Sequence, residues 1–357
     1  MNHLELFSGI GGFRRAMELI QKDGLMAFSN VGYSEINDRA ATTYCANYDI
    51  TNDIVIGDIV KFTSNPTNIK KLPRLDIITG GFPCQAFSMM GNMMGFEEDR
   101  GQMFFRIMDI VSIKKPKYLL LENVKNLLAH DGGRTYARIT EEIDKAGYYQ
   151  QTILLNTADY GLPQRRYRVF IFARRKYWGK FSFCEDDIKC HFGHIDKSHC
   201  SLLFYNNVLD VLSDHADAKY YLSDRVKPTI LSDGTGGYKS HSEIDQIIAR
   251  TLTATMHKMH RACQDNYYSD EFLLSGGKSR PSERMSKEEL AKIPIRKLTP
   301  EEAFLLQGFP KDFVKKAKEK NVSDGALYTQ AGNAVSVNTI YALLHFLIKN
   351  QVIRKDK

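Results

Sequence analysis

Short apolar runs alternate with amphipathic stretches through the first half of the chain. Leu4-Glu5-Leu6-Phe7 reads as a first strand, followed by the turn Ser8-Gly9-Ile10-Gly11-Gly12-Phe13 and a helix from Arg14 to Ile20. A second strand is expected from about Ala27 to Ser34, a third at Ile54-Val55-Ile56 and a fourth at Leu75-Asp76-Ile77-Ile78-Thr79. Asp99-Arg100-Gly101-Gln102-Met103-Phe104-Phe105 opens a helix that continues towards Ile113, and Tyr118-Leu119-Leu120-Leu121 is a buried strand. Tyr148 to Leu155 and Tyr167 to Phe172 are the last two strands of this series. Strands alternating with helices predict an α/β fold with a largely parallel sheet. After Arg175 the alternation stops, and polar, aromatic, Gly and His residues mix until about Ile293, as in a lobe of short strands and loops. Arg296-Lys297-Leu298-Thr299-Pro300-Glu301-Glu302 then starts a helix, with Thr299 as its cap and Pro300 at its first position. A last helix runs through Ile348.

Composition narrows the class without naming a function. A chain of 357 residues suits one large domain plus a smaller one, and 43% hydrophobic with 25% charged residues is ordinary for a soluble globular protein. No apolar run reaches the roughly 20 residues that span a bilayer. The segment Met1-Asn2-His3-Leu4-Glu5-Leu6-Phe7 carries no basic stretch ahead of its apolar part, so no signal peptide is expected and the location expected is cytoplasmic. Six scattered cysteines suit reduced thiols. A net charge of +7 permits a polyanionic partner. Cys184, Cys190, His191, His194, His199 and Cys200 crowd together but contain no Cys-x2-Cys pair, so a loop is expected there and no metal site.

The candidate chemistry sits at strand ends. Gly80-Gly81-Phe82-Pro83-Cys84-Gln85-Ala86-Phe87-Ser88 follows the fourth strand, where α/β enzymes place reactive groups, although a buried structural cysteine would also fit. Tyr118–Leu121 ends at Glu122-Asn123-Val124, a carboxylate at a strand C-terminus that can share a crevice with Cys84. The glycine turn after the first strand is built to present backbone N–H groups to a ligand. Its spacing is not Gly-x-Gly-x-x-Gly, because Arg14 stands at the third glycine position, which argues against a dinucleotide. Glu35 ends the second strand and is placed to accept from ribose hydroxyls, or else to cap a helix. Asp58 can accept from an adenine amino group with Ile59 on the ring face. Gln164-Arg165-Arg166-Tyr167-Arg168 brings three arginines to the entrance of the last strand.

Taken in order, these motifs resemble the cytosine-C5 DNA methyltransferases: Phe7-x-Gly9-x-Gly11, Pro83-Cys84-Gln85-x-Phe87-Ser88, Glu122-Asn123-Val124, the Gln-x-Arg-x-Arg pattern on Gln164, Arg166 and Arg168, and Tyr328-Thr329-Gln330-Ala331-Gly332-Asn333-Ala334-Val335. The resemblance implies a Rossmann-like sheet that binds S-adenosyl-L-methionine and a smaller target-recognition lobe. The domains expected are 1–178 for catalysis and cofactor, 179–293 for target recognition, and 294–357 as a return to the catalytic domain. It implies cofactor contacts at Phe7, Gly9, Ile10, Gly11, Gly12, Glu35, Ile36, Asp58, Ile59, Pro83, Met103, Asn333 and Ala334. The family's usual serine after the asparagine is Ala334 here, which leaves backbone contacts only. The Gly- and Met-rich loop from Ser88 to Arg100 is expected to be a flap beside the nucleophile, and Gln85, Ser88, Arg100, Thr251 and Lys258 are the residues expected at DNA.

The implied reaction transfers a methyl group to C5 of a cytosine swung out of duplex DNA. Cys84 adds to C6, protonated Glu122 donates at N3, Arg168 holds the base carbonyl oxygen, and Arg166 lies at the sulfur side or the adjacent phosphate. A monomer acting on double-stranded DNA at a specific sequence is expected, in a restriction–modification setting with a possible companion endonuclease. The alternatives are an RNA cytosine methyltransferase of the same fold and a silent cofactor- and DNA-binding protein; a nicotinamide oxidoreductase fails at Arg14.

Overall fold

The computed structural model describes residues 1–83, 102–234 and 239–354. Cys84, Gln85, Ser88, Arg100 and the expected flap lie outside the described residues. The chain divides into two compact units. The first comprises Met1–Asn156, Tyr167–Leu202 and Thr339–Lys357; the second comprises Thr157–Arg166 and Leu203–Asn338.

These bounds differ from those expected at 179–293 and 294–357, for identifiable reasons. The segment after Tyr167–Arg175 stays with the first unit because its aromatic residues pack there. Phe181 and Phe183 meet Phe172 with ring centroids 5.3 and 6.3 Å away, Phe183 meets Phe346 at 5.5 Å, and His191 bonds His345 at 2.7 Å. The motifs from Arg296 to Val335 belong with the second unit. There a fully buried Arg296 donates through both terminal nitrogens to Glu302, each at 2.9 Å, and Glu302 also accepts from the Thr299 N–H. Thr299 and Pro300 do cap and open the helix Pro300–Leu305, as its sequence predicts.

In the first unit, the described residues form a seven-stranded sheet in the order β3-β2-β1-β4-β5-β7-β6. Its strands are β1 (Asn2–Leu6), β2 (Ser29–Tyr33), β3 (Ile54–Val55), β4 (Ile77–Gly81), β5 (Tyr118–Val124), β6 (Tyr148–Asn156) and β7 (Tyr167–Arg175). The first five pair in parallel, while β7 runs antiparallel to both β5 and β6. The apolar runs of β4 and β5 are buried because helices cover the sheet. In α5 (Gln102–Lys114), Phe104, Ile107 and Val111 recur at helical spacing, and in α6 (Arg134–Lys145) Ile139 and Ile143 do the same. These side chains join Leu4, Ile78, Leu119, Leu121 and Ile171 in one core. The strand order reverses between β1 and β4, the switch point at whose carboxyl edge open α/β sheets bind ligands. The stretch Asp324–Lys349 is apolar and long enough to cross a bilayer, but 83% of its most apolar window is buried inside the protein, so it is core.

The second unit has a two-stranded antiparallel sheet, β8 (Tyr267–Ser269) with β9 (Ile295–Lys297), and a small core around Leu222, Ile230, Ile244 and Tyr267. Short strands and loops are thus what its mixed sequence forms.

The first helix, α1 (Gly12–Lys22), begins at Gly11, which offers no side chain for capping. Glu5 of β1 takes that role. Its carboxyl accepts from the N–H groups of Phe13 and Arg14 at 3.2 and 3.4 Å and from the Tyr44 hydroxyl at 3.3 Å. Full burial pushes this carboxyl up to about 8, with the helix N–H donors and Arg14 pulling the other way. A group that holds its proton more tightly when folded stabilises below its unfolded pKa and loses that contribution as pH rises through the folded value. The stability of Glu5→Gln relative to wild type should therefore climb between about pH 5 and 8, by no more than about 1.4 kcal/mol per pH unit. Urea midpoints across that range test it; a flat difference removes the shift.

Candidate active site

The glycine turn and the second strand hold each other. Ser8 N–H donates to the Ser34 carbonyl at 2.8 Å, and Phe7 N–H to the Ser34 hydroxyl at 3.0 Å. Glu35 bridges the two loops, accepting from Gly9 N–H at 2.8 Å through one oxygen and from Asn37 N–H at 2.7 Å through the other. Each carboxylate oxygen has a second acceptor site, so ribose hydroxyls remain within its capacity. Gly11 lies at φ +82°, and a Cβ there would fall 2.4 Å from the Tyr48 ring, so only glycine fits. At Gly9 the same construction meets none of the described residues within 4 Å, which leaves room among them beside the turn. Gly12 opens α1.

Ile36 is 73% exposed, and Val55, which the sequence reading missed, is 58% exposed. Exposed apolar side chains that follow β2 and end β3 suit the face of an adenine ring. Asp58 caps a short helix, α3 (Ile59–Thr63), accepting from Val60 and Lys61 N–H groups at 2.9 and 3.3 Å through one oxygen. Ile59, expected on the ring face, is 4% exposed and packs in the core of the first unit, and Ile10 is buried at 1%. Both positions offer backbone rather than side chain. Phe7 and Met103 are half-buried against the same core, and Pro83 is exposed. An exposed apolar patch, two carboxylates and an open glycine turn fit S-adenosylmethionine.

The sheet register assembles the other half of the site. Leu6 lies beside Gly80, and Gly81 beside Glu122. The exit of β4 that leads to Cys84 is thus flanked by the glycine turn on one side and Glu122 on the other. Asn123 fixes that exit by donating to the Phe82 carbonyl at 2.9 Å. Glu122 is 8% exposed, and its carboxylate receives Arg168 Nε at 2.9 Å across the β5–β7 ladder. Arg168 also donates to the Tyr167 carbonyl at 2.8 Å.

Arg166 was expected at the sulfur side or the adjacent phosphate. It is 1% exposed, and its terminal nitrogens donate to the carbonyls of Leu252, Gly332 and Ala334 at 2.8–2.9 Å. It holds backbone within the second unit. Its neighbour Gln164 is similar, bonding the Leu306 carbonyl and the Leu252 N–H. Gly332 approaches the Thr253–Ala254 backbone so closely that a Cβ would lie 2.2 Å from the Thr253 carbonyl carbon. Asn333 is exposed at the end of a helix, Asp324–Asn333, and Ala334 is buried.

Also in the second unit, Arg165, Arg250, Thr251, Thr253, Thr255, His260, Cys263 and Gln264 line an open cleft of about 600 Å³. Thr251 donates to the Arg165 carbonyl at 2.6 Å. Among the described residues no carboxylate lines this cleft. Of its lining residues Thr251 is among those expected at DNA, and the period-two spacing of Thr251, Thr253 and Thr255 was the available signal for its neighbours. Lys258 is exposed on a single 3₁₀ turn, Met256–Lys258. Among the described residues no three His, Cys, Asp or Glu side chains converge as metal ligands, and Cys45, Cys184, Cys190, Cys200 and Cys263 are free thiols.

Comparison with known proteins agrees over the whole chain. The type II methyltransferase M1.ScrFI of Lactococcus lactis subsp. cremoris is 35% identical, over 99% of this chain and 79% of its own length. The type II methyltransferase M.NlaX of Neisseria lactamica is 33% identical over 95% of this chain and 94% of its own. In fold, the Schizosaccharomyces pombe Dnmt2 methyltransferase superposes with a TM-score of 0.74 at 20% identity, covering 99% of this chain and 100% of that one. The family model for C-5 cytosine-specific DNA methylase matches residues 1–349, a span that holds the glycine turn, the Glu122–Arg168 pair and the final Gly332-Asn333 motif alike, and the chain belongs to that family.

Proposed function

We propose that this DNA (cytosine-5-)-methyltransferase works through Cys84 as nucleophile, with Glu122 and Arg168 as the pair that receives the base. The observation that carries the reading is the register of β4 on β5. Gly81 pairs with Glu122, three residues before Cys84, and Glu122 is already joined to Arg168 at 2.9 Å. Cytosine C5 is a poor nucleophile. Bonding the Cys84 sulfur to C6 breaks the ring conjugation and makes C5 enamine-like. As Arg168 turns its guanidinium towards the carbonyl oxygen at C2, Glu122 takes up a proton, the equivalent of the one the Cys84 thiol gives up on becoming a thiolate, and the charge put on the ring is relieved when Glu122 passes that proton to N3. In the free protein the Arg168–Glu122 ion pair holds both groups side by side; an incoming base takes over part of Arg168's donor set. Bound S-adenosylmethionine supplies a methyl group whose leaving group departs as a neutral thioether. After transfer a base removes the C5 proton and the Cys84 sulfur leaves C6, restoring the free thiol.

The target must be drawn out of the duplex, at a cost of a few kcal/mol, and Gln85 and Ser88 are suited to the vacated space and the flanking phosphate. Arg165, Arg250 and Thr251 in the second unit's cleft suit contacts to the DNA backbone, and Arg100 and Lys258 add positive charge. Both relatives named above are type II methyltransferases, which supports methylation of one short sequence that protects host DNA from a companion endonuclease. A monomer suffices for this chemistry.

An oligonucleotide carrying 5-fluorocytosine at the target position should trap the Cys84 adduct, since fluorine at C5 cannot be removed as a proton can. Cys84→Ser should lower methyl transfer to less than about a thousandth of wild type while leaving cofactor binding within about twofold, because only the covalent route is removed. Near-normal turnover in that variant would take Cys84 out of the mechanism. Bisulfite sequencing of plasmid DNA from cells expressing the chain should show 5-methylcytosine at one short recurrent motif. Scattered or absent signal would count against sequence-specific action on DNA.

A further inference from the structure

The side chain at the third glycine position of a dinucleotide turn is Arg14, and nothing in the chemistry above uses it. It is buried, and its guanidinium reaches from α1 to the segment between α2 (Asp38–Asn47) and β3. Nη1 donates to Asp53 at 2.6 Å and to the Tyr44 hydroxyl at 3.2 Å, and Nη2 donates to the Asp49 carbonyl at 2.5 Å. The same group lies over the Tyr44 and Tyr48 rings, 5.5 and 4.8 Å from their centroids. Each of these partners leads somewhere. The Tyr48 hydroxyl donates to the Gly11 carbonyl at 2.7 Å, and its ring fills the space behind Gly11. Tyr44 bonds Glu5, which caps α1. Asp53 also accepts from Asn30 of β2 at 2.8 Å and directly precedes β3, whose exit carries Asp58.

We propose that Arg14 is a positioning residue for the cofactor. One guanidinium ties the glycine turn, through Tyr48, to the segment that delivers Asp58, and so fixes the spacing between the two ends of the cofactor site. The inference rests on the reading of that turn and Asp58 as cofactor contacts. The tie needs arginine: a planar fork with five donors can serve a carboxylate, a hydroxyl and a carbonyl at once while stacking on two rings, and a lysine ammonium cannot. Asp53 is itself buried, its side chain 4% exposed, so the partner charge has no water to turn to. The effect expected is on cofactor affinity, since Arg14 lies behind the turn and not at its open side.

Arg14→Lys and Tyr48→Phe test this in the full-length protein, with methyl transfer and calorimetric titration of S-adenosylhomocysteine as readouts. Arg14→Lys should raise KM for S-adenosylmethionine about tenfold, equivalent to about 1.4 kcal/mol, and weaken S-adenosylhomocysteine to match. Turnover at saturating cofactor and DNA affinity should stay within about twofold of wild type. Tyr48→Phe, which keeps the ring and removes only the bond to Gly11, should move KM in the same direction by about threefold, the scale of one neutral hydrogen bond. It decides the matter if the lysine variant does not fold. Unchanged cofactor KM and affinity in the folded variants overturns the proposal. So does a uniform loss of active protein with KM unmoved, which is what a packing role alone produces. Failure of wild type to bind the cofactor would instead sink the reading of the turn on which the inference rests.

Discussion

Three strands held in parallel register, β1, β4 and β5, put the working groups of the first unit on one edge of a sheet. A parallel ladder fixes which residues lie side by side, and slipping it by one position would turn every side chain to the opposite face. Because Leu6 meets Gly80 and Gly81 meets Glu122, the turn after β1, the exit of β4 and the carboxylate at the end of β5 become neighbours without any long-range contact designed for the purpose. The apolar core of α5 and α6 against the strands stabilises that register, so the reactivity at the edge depends on packing beneath it.

The arginines show how one residue type divides between holding the chain and serving the chemistry. Arg296 is buried against Glu302, Arg166 against three carbonyls, and Arg14 against Asp53, a tyrosine hydroxyl and a carbonyl. Each satisfies a buried fork with several acceptors, which is the condition for keeping a guanidinium out of water. Arg168 differs in two respects: it stands on a strand end at the sheet's carboxyl edge, and its partner is the carboxylate proposed above as the proton donor. The ion pair neutralises two charges in the free protein while keeping both poised for a planar heterocycle that can take donors from either.

Charge has a second expression at Glu5. A carboxyl group buried beneath the glycine turn replaces the missing side-chain cap of α1, and burial there strongly raises its affinity for its proton. The turn is therefore stiffened from below by a polar network of Glu5, Tyr44, Tyr48 and Arg14, leaving its upper side open. Rigid support on one side and room on the other is what a site for a small cofactor requires.

Much of this was legible in the sequence because the relevant signals are local. The glycine turn, Glu122 at a strand end and Thr299-Pro300 at a helix start are each set by a few adjacent residues and the backbone geometry they impose. What the sequence could not tell was which partners the two arginines in Arg166-Tyr167-Arg168 take. Alternation places them on the same face of an extended strand, yet one falls just before β7 in the second unit and is buried among carbonyls, while the other lies on β7 beside Glu122. Nor could it tell that Ile59 turns into the core while Ile36 is left in solvent, or that the boundary between units falls at Leu203 and Asn338. Those outcomes are decided by burial and by partners distant in the chain, and a side chain's neighbours across a fold are fixed only once the whole of it has packed.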